Sequence, residues 1–170
     1  RIRPHQVQQT TTILENTIAR AESQLAGGQG ANGIDLAGIG ADAQGFVNVD
    51  GTLNLGNSGG AGEFADTVGL DSLGMPGFAA DGSQLANENN SAMEILTFVQ
   101  FPSTGFYRLG VRSDDGFRVQ SELNPRDMFA VRLGQYDGGR GMDPGTEFWV
   151  EVKDAGVYPM RMVWENGDGG

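Results

Sequence analysis

The stretch "FYRLGVRSDDGFRVQS", residues 106–121, consists of two alternating apolar runs joined by an Asp-Asp-Gly turn. Tyr107, Leu109 and Val111 fall on one face of the first run and Arg108 falls on the other, because successive side chains of a strand point to opposite faces. The segment therefore predicts two consecutive strands, with a pair of aspartates at the point where they meet.

Similar runs follow one another from residue 94 to residue 164, and Gly, Pro, Asn or Asp stands at each junction. No helical pattern separates them. Short strands at this spacing are typical of an antiparallel sandwich or barrel. We expect a mostly β protein, an antiparallel, jelly-roll-like β-sandwich with one N-terminal α-helix. The expected strands are 94–101, 106–113, 117–121, 128–133, 147–153 and 157–164.

The N-terminal helix is expected at residues 10–26, where an apolar stripe has helical spacing. Thr12 and Glu15 have the spacing of a capping box, and Gly27 with Gly28 ends the run. The stripe is narrow, so it covers one patch of the domain or pairs with another chain. Its members are Leu14, Ile18, Ala21 and Leu25.

Glycine is concentrated in residues 27–82, which contain sixteen of the 28 glycines. A flexible linker is one interpretation of this composition. Against it, "FVNVDGTLNL" at 46–55 has two alternating runs around an Asp-Gly pair, a pattern typical of a β-hairpin. We therefore expect loops that lie over the β fold. The expected division of the chain is an N-terminal helical segment, 1–26, and a β-sandwich, 27–170.

The composition of the chain excludes several kinds of chemistry. Its 170 residues are enough for one domain with its own core. The absence of Cys excludes disulfides, thiolate metal sites and a Cys nucleophile, and Lys153 is the only lysine. No apolar run approaches the roughly 20 residues that span a bilayer. Because the chain begins at Arg1 rather than Met, we expect it to be a piece of a longer protein.

The charge of the chain is acidic and unevenly spread. The formal net charge is −11 at pH 7, and residues 26–100 carry nine acids and no Lys or Arg. Such a surface repels the phosphate backbone, so nucleic acid is not an expected partner. It suits a protein of a salty medium, or one that binds divalent cations.

Two ordered motifs resemble one known family. They are "GFYRLGVRSDDGFRV" at 105–119 and "AGVYPMRMVWENGDGG" at 155–170. Together they resemble the protective-antigen-type β-sandwich domain, which occurs in bacterial surface proteins, in glycosidases and in yeast flocculation adhesins. The resemblance covers residues 94–170 well, residues 27–93 loosely and residues 1–26 hardly at all.

In the sugar-binding members of that family, adjacent aspartates joined by a cis peptide bond hold a calcium ion, together with an asparagine and backbone carbonyls. The resemblance therefore implies calcium as the cofactor, with Asp114, Asp115 and Asn166 as side-chain ligands and backbone carbonyl ligands near Asp168 and Gly170. Calcium prefers oxygen donors of this type. A bound ion would also offset the repulsion between two neighbouring carboxylates. The resemblance further implies a closing strand after Gly170, where the chain ends.

Of the other interpretations of these residues, a simple turn stays open, a serine hydrolase fails and catalysis by the paired acids is disfavoured. Asp-Asp-Gly is also common in simple hairpin turns. "GNSGG" at 56–60 matches a serine-nucleophile pattern, but the only histidine, His5, lies in a terminal segment, and a triad needs an oriented base. Two adjacent aspartates on one turn are poorly placed to flank a glycosidic bond. Trp149 lies opposite the apolar face of its strand, so it could be exposed to solvent and stack on a sugar.

These observations lead to one principal hypothesis and one alternative. The chain is expected to be a non-catalytic, extracellular or cell-surface binding module of a larger bacterial surface or secreted protein. Its expected partner is a glycan bound with calcium at Asp114, Asp115 and Asn166, with Trp149 as a further ligand-binding residue. The alternative is a structural module of a filament, coat or scaffold. That module would assemble with itself or with a neighbouring surface protein through the N-terminal helix or an open sheet edge.

Overall fold

The structure is a computed structural model, and its described part is mostly β strand with one helix. The described residues are 1–7, 12–50, 53–56, 73–77, 89–124, 126–127 and 129–168. In chain order the elements are β1 (Ile2–Gln6), α1 (Ile18–Leu25), β2 (Leu55–Gly56), β3 (Leu73–Gly74), β4 (Ser91–Phe101), β5 (Gly105–Val111), β6 (Phe117–Ser121), β7 (Val131–Tyr136), β8 (Thr146–Val152) and β9 (Gly156–Asn166).

Five strands form one antiparallel sheet in the order β1-β4-β9-β6-β7. Its centre is the pair of eleven-residue strands β4 and β9, which are in register from Ser91 opposite Asn166 to Phe101 opposite Gly156. Strands β5 and β8 form a separate antiparallel pair, and the short strands β2 and β3 pair in parallel. The prediction of a mostly β, antiparallel fold with one helix is confirmed.

The five-stranded sheet and the β5–β8 pair share one hydrophobic cluster. Phe117 and Val119 of β6 and Met160 of β9 are buried in it from one side, and Val150 and Val152 of β8 are buried in it from the other. Within β6 and within β8 these residues are two apart, as expected for one face of a strand. Two sheets whose apolar faces meet in this way are compatible with the predicted β-sandwich.

A second cluster lies under β1 at the other end of the same sheet face. It combines strand residues with side chains from the glycine-rich part of the chain. Those described glycine-rich residues therefore pack on the sheet, which agrees with loops that lie over a β fold rather than with a free linker. The buried members are Ile2, Ile34, Met75, Met93, Ile95 and Trp164.

Helix α1 covers part of the opposite face of the five-stranded sheet. Ala21 and Leu25 pack against Ala92 of β4 and Val163 of β9, and all four side chains are buried. The apolar stripe therefore contacts its own chain, which was one of the two expectations. No helix in the described residues has the length and apolarity that a membrane span requires.

The helix is shorter than predicted, because it begins at Ile18 rather than at residue 10. Thr17 is the N-cap, and its Oγ1 accepts a backbone N–H three residues on, at 3.1 Å. The preceding residues bind Asn90 instead of forming a helical turn. Leu14 N donates to Asn90 Oδ1 at 2.7 Å, and Asn90 Nδ2 donates to Thr12 O at 2.9 Å. The predicted capping box was therefore wrong.

Two long-range pairings differ from the predicted local ones. Strand β1, which the sequence pattern did not predict, pairs with β4, and Ile2 also forms a bridge with Val47. The predicted hairpin at 46–55 is wrong in its described residues, because Val47 pairs with β1 and Leu55 pairs with β3. Residues 51–52 of its turn lie outside the described residues, as do the last four residues of the "GNSGG" motif.

The six strands predicted from residue 94 onward are all present, with ends shifted by up to three residues. The chain runs from β8 to β9 through a turn at Lys153 and Asp154, and both side chains are exposed. Strand β9 then runs along the sheet to Asn166, which lies at the same end as Asp114. The Lys153 turn and the aspartate pair are therefore at opposite ends of the sheet.

Candidate functional site

The Asp114-Asp115 pair lies in the connection from β5 to β6, against the last residues of β9. Asp115 N donates to Glu165 O at 3.2 Å, and Glu165 N donates to Gly116 O at 3.0 Å. Trp164 Nε1 donates to Asp114 O at 2.8 Å. The peptide bond between the two aspartates is cis, as the family resemblance implies. The turn is thus attached to β9 through both aspartates. We call this turn, together with the side chains that surround it, the aspartate corner.

The Asp115 carboxylate is buried and held by three N–H donors. Asn16 Nδ2 and Gly167 N donate to its Oδ2 at 2.8 Å and 3.1 Å, and Arg140 N donates to its Oδ1 at 2.7 Å. A carboxylate offers about four acceptor positions, so most of them are occupied. These bonds fix the position of Asp115 within the corner.

The Asp114 carboxylate is half-buried and more open. Among the described residues, no nitrogen donor forms a hydrogen bond to it. Burial raises the pKa of Asp114, the neighbouring charge of Asp115 raises it further, and Arg140 opposes the shift. The ionised form of Asp114 is therefore incompletely compensated by the chain itself, and a cation at this position would stabilise it.

Glycine residues line the space around the Asp115 carboxylate. A Cβ atom on Gly167 would collide with the side chain of Asn16, and one on Gly139 would lie 2.8 Å from Asn16 Nδ2. Asn16 Oδ1 is buried and accepts no hydrogen bond within the described part of the chain. The corner therefore contains a buried amide oxygen, next to the aspartate pair, that has no partner among the described residues.

Arg140 closes the corner on the side of β8. Its Nε donates to Ser113 O at 3.1 Å and its Nη2 to Ser113 Oγ at 2.9 Å, while Nη1 donates to Thr146 Oγ1 at 2.7 Å. The guanidinium group also lies over the Tyr136 ring, 4.4 Å from its centroid. Since neutral groups accept these bonds, Arg140 offsets the charge of the corner at a distance and leaves Asp114 open.

A buried ion pair lies beneath the corner. Arg20 Nη2 donates to Glu165 Oε2 at 2.8 Å and to Asn166 O at 3.1 Å. Burial raises the pKa of Glu165 to about 7; the charges of Asp115 and Asp137 act in the same direction and Arg20 opposes them. The corner has four carboxyl groups and two guanidinium groups, so it carries an excess of two negative charges when all are ionised. The carboxyl groups are those of Asp114, Asp115, Asp137 and Glu165, and the guanidinium groups are those of Arg20 and Arg140.

The structure brings three of the predicted site residues together. Asp114 and Asp115 lie beside Asn166, which is buried at the end of β9, immediately before the Gly167 N–H that binds Asp115. Asp168 is exposed two residues further on. Gly170, after which a closing strand was expected, lies outside the described residues.

Trp149 is placed elsewhere. It lies on β8 opposite Arg108 of β5, on the outer face of the two-stranded sheet, and 65 % of its surface is exposed. None of the hydrogen bonds formed by the described residues joins it to the corner. Its predicted exposure is confirmed, but it lies on a different surface from the aspartate corner.

Sequence reasoning missed two residues that bind Asp115 from elsewhere in the chain. Asn16 and Arg140 reach Asp115 from 99 and 25 residues away, and nothing local in the sequence indicates those contacts. The sequence pattern places Glu165 opposite the apolar face of Met160, Met162 and Trp164 and so gives no sign of its burial, which depends on α1 covering the other face of β9.

The donors of the corner fit calcium by chemical type. The carboxylates of Asp114 and Asp115 and the amide oxygens of Asn16 and Asn166 are hard oxygen donors. Within the described residues, no group of three or more His, Cys, Asp or Glu side chains could hold a metal ion. Calcium takes roughly six to eight oxygens, so backbone carbonyls, water and ligand hydroxyls would have to complete the set.

Comparison with known proteins gives no match to a family model, a curated protein or a solved structure. The resemblance to the protective-antigen-type domain accordingly stays a prediction. The function is inferred from the geometry and the chemistry of the corner.

Proposed function

We propose that the chain is a non-catalytic binding module that recognises a glycan with calcium at the aspartate corner. The observation that carries the proposal is the open Asp114 carboxylate beside the anchored carboxylate of Asp115, in surroundings with excess negative charge. Two adjacent carboxylates in such surroundings favour a divalent cation, because its charge relieves their repulsion.

The ion would be held by oxygen atoms that the corner already positions. Asp114 and Asn166 supply side-chain donors, Asn16 Oδ1 is a further one, and a carbonyl near Asp168 would add to them. Asp115 keeps one acceptor position beyond its three N–H bonds. When bound, calcium would accept a pair of sugar hydroxyls as its remaining ligands.

Binding is supported over catalysis by the positions of the acids. The two carboxyl groups of a glycosidase flank the sugar bond at roughly 5–10 Å, whereas Asp114 and Asp115 are neighbours on one turn. Glu165, the nearest further acid on β9, is fully buried and bound by Arg20, so a substrate has no access to it. In line with the family resemblance, we extend the proposal to an extracellular location in a larger bacterial surface or secreted protein.

Thermal unfolding with and without calcium tests the metal site. A ligand at 100 times its Kd stabilises the native state by about 2.7 kcal/mol, which raises the Tm of a domain of this size by about 5–10 °C. We expect such a rise for the wild type, none for Asp114→Asn, and the wild-type rise for the control Asp154→Asn, whose side chain is exposed at the far end of the sheet. No rise in the wild type would refute the calcium site.

A glycan array read in calcium and again in EDTA tests the ligand. Sugar binding at the corner should require calcium and should be lost in Asp114→Asn, with Asp154→Asn unaffected. Binding that is calcium-dependent but survives Asp114→Asn would move the ion to another position and contradict the assignment.

A second candidate function, assembly, is favoured by one surface. Phe98 and Val157 are exposed at diagonal positions of β4 and β9, on the same face as α1 but beyond its cover, and Phe98 is 74 % exposed. Because the apolar stripe of α1 is used within the chain, this face is the better candidate for contact with a second copy. Sedimentation at increasing concentration would show association that Phe98→Ser abolishes.

A further inference from the structure

The outer face of the β5–β8 sheet carries an ordered set of aromatic and charged side chains. Register places Phe106 opposite Glu151, Arg108 opposite Trp149 and Gly110 opposite Glu147, and the members of each pair point to the same side. The alternate residues of both strands point into the shared core instead. This outer set, which we call the platform, is therefore fully separate from the packing that holds the sheets together.

The two aromatic rings of the platform are largely open to solvent. Phe106 is 72 % exposed and Trp149 is 65 % exposed. They occupy diagonal positions on neighbouring strands, a separation of roughly 7–8 Å that aromatic side chains can bridge. Fold stability does not explain two large rings in water, because burial is what makes such side chains stabilising.

Gly110 is the independent sign that something approaches this face. It lies within β5, where glycine weakens a strand, and its φ is not positive. A Cβ atom here would meet nothing closer than 3.7 Å, so packing does not require glycine either. A glycine with no conformational or packing reason often marks a place where a ligand comes close to the backbone. Here it leaves open the position diagonal to Trp149.

From these observations we infer that the platform is a second, calcium-independent site for a neutral oligosaccharide. Trp149 and Phe106 stack on the C–H faces of consecutive sugar rings. Arg108, Glu147 and Glu151 exchange hydrogen bonds with the hydroxyl groups at the ring edges, and Gly110 admits the chain close to β5. The inference shares with the proposed function only the class of ligand, because it uses none of the residues of the aspartate corner.

The charges favour a sugar over a second protein copy as the occupant. Charged residues are depleted at the centre of protein–protein interfaces, yet three of them alternate with the two rings here. Arg108 and Glu147 lie 3.7 Å apart as an exposed ion pair, and each retains donors or acceptors for hydroxyl groups. A ligand that presents both an apolar face and a polar rim matches that alternation.

Tryptophan fluorescence provides a direct test, because Trp149 is exposed whereas Trp164, the only other tryptophan, is buried. Cellohexaose, mannohexaose and xylohexaose are titrated into the full chain in EDTA, which silences any calcium site. We expect one of them to shift the emission of Trp149. Acrylamide quenching of the same emission should fall when the sugar is present.

Variants define the face that binds, with affinity measured by calorimetry in EDTA. Trp149→Ala and Phe106→Ala should each weaken binding by about tenfold, the loss of one ring stacking contact. Gly110→Val, whose Cβ would lie no closer than 3.7 Å to its neighbours, should weaken it to a similar degree by filling the opening. Phe98→Ala, an equally exposed phenylalanine on the other sheet, and Asp114→Asn should bind as the wild type does.

Three results would overturn the inference. They are no binding of any of the three hexasaccharides in EDTA, binding that all three platform variants leave unchanged, and self-association that Trp149→Ala removes. Failure of the calcium proposal has a different signature, since it appears as an absent calcium-dependent rise in Tm while binding in EDTA persists.

Discussion

Glu94 of β4 is a fully buried carboxylate with three arginine partners. Arg126 binds it through Nε and Nη2, both at 2.7 Å, Arg161 Nε binds it at 2.6 Å, and Arg3 Nη2 lies 2.8 Å away. Burial by itself would raise the pKa of Glu94, but the bonds from Arg126 and Arg161 outweigh it and lower that pKa to about 2. Although the chain is acidic overall, three of its arginines thus surround one buried carboxylate and stabilise the fold there.

Replacement of this carboxylate tests that account. Glu94→Gln should lower the free energy of unfolding by about 3 kcal/mol at pH 7, because it removes the buried charge that binds Arg161, itself buried, and the more exposed Arg3 and Arg126. A group whose pKa is depressed in the native state stabilises it above its unfolded pKa. The difference between variant and wild type should therefore be full above about pH 4.5 and shrink as pH falls toward about 2.

Urea unfolding at pH 7, 4.5 and 2.5 gives that difference directly. Glu122→Gln, at an exposed position after β6, is the matched control and should change stability little at any of the three pH values. A Glu94→Gln effect that stays constant down to pH 2.5 would mean that packing, and not charge, is what the side chain contributes.

Helix α1 is fastened at its start by two side chains from different parts of the chain. Thr17 Oγ1 accepts from Arg20 N at 3.1 Å, and Asp137 Oδ1 accepts from Ile18 N at 2.8 Å. Asp137 follows β7, so this bond joins the helix start to the far edge of the sheet. The helix has eight residues, too few to be stable without such support.

Loss of the N-cap should therefore be measurable in the whole domain. Thr17→Ala should lower the free energy of unfolding by about 1 kcal/mol, the usual cost of removing a threonine cap. Thr104→Ala, in the exposed turn before β5, is the control. If Thr17→Ala were neutral in denaturant unfolding, Asp137 alone would be sufficient to begin the helix.

The elements that sequence reasoning found are those whose signal is local. The six strands from residue 94 alternate within themselves, so period-two spacing is enough to locate them. Strand β1 and the start of α1 depend on partners far along the chain: Ile2 pairs with Ile95, and Leu14 bonds Asn90. The corner behaves in the same way, since Asp114 and Asp115 were visible in a motif but Asn16 and Arg140, which donate to Asp115, were not.

At the scale of the whole molecule, the net charge of −11 acts against compactness. The buried ion pairs around Glu94 and Glu165 are sheltered from solvent, whereas the repulsion between exposed acids is not. The Debye length falls from about 30 Å at 0.01 M salt to about 8 Å at 0.15 M. Added salt should therefore weaken the repulsion while the buried pairs largely persist.

A salt titration of stability follows from this balance. In EDTA, Tm should rise as NaCl increases from 10 to 150 mM. It should rise more slowly beyond that concentration, because the repulsion between the acids is then already largely screened. KCl at equal concentration is the control for a specific ion effect and should give the same curve. A Tm that falls with salt would show that attractive surface pairs outweigh the repulsion between acids.

The turn between β8 and β9 has a practical consequence, because its Lys153 bears the only side-chain amine of the sequence and is exposed. Among the side chains, an amine-reactive dye, resin or biotin would attach at this one position. The eleven residues of β9 separate it from Asn166 by roughly 30 Å. A sensor surface coupled through that residue would thus present every molecule in the same orientation, with its acidic end turned outward.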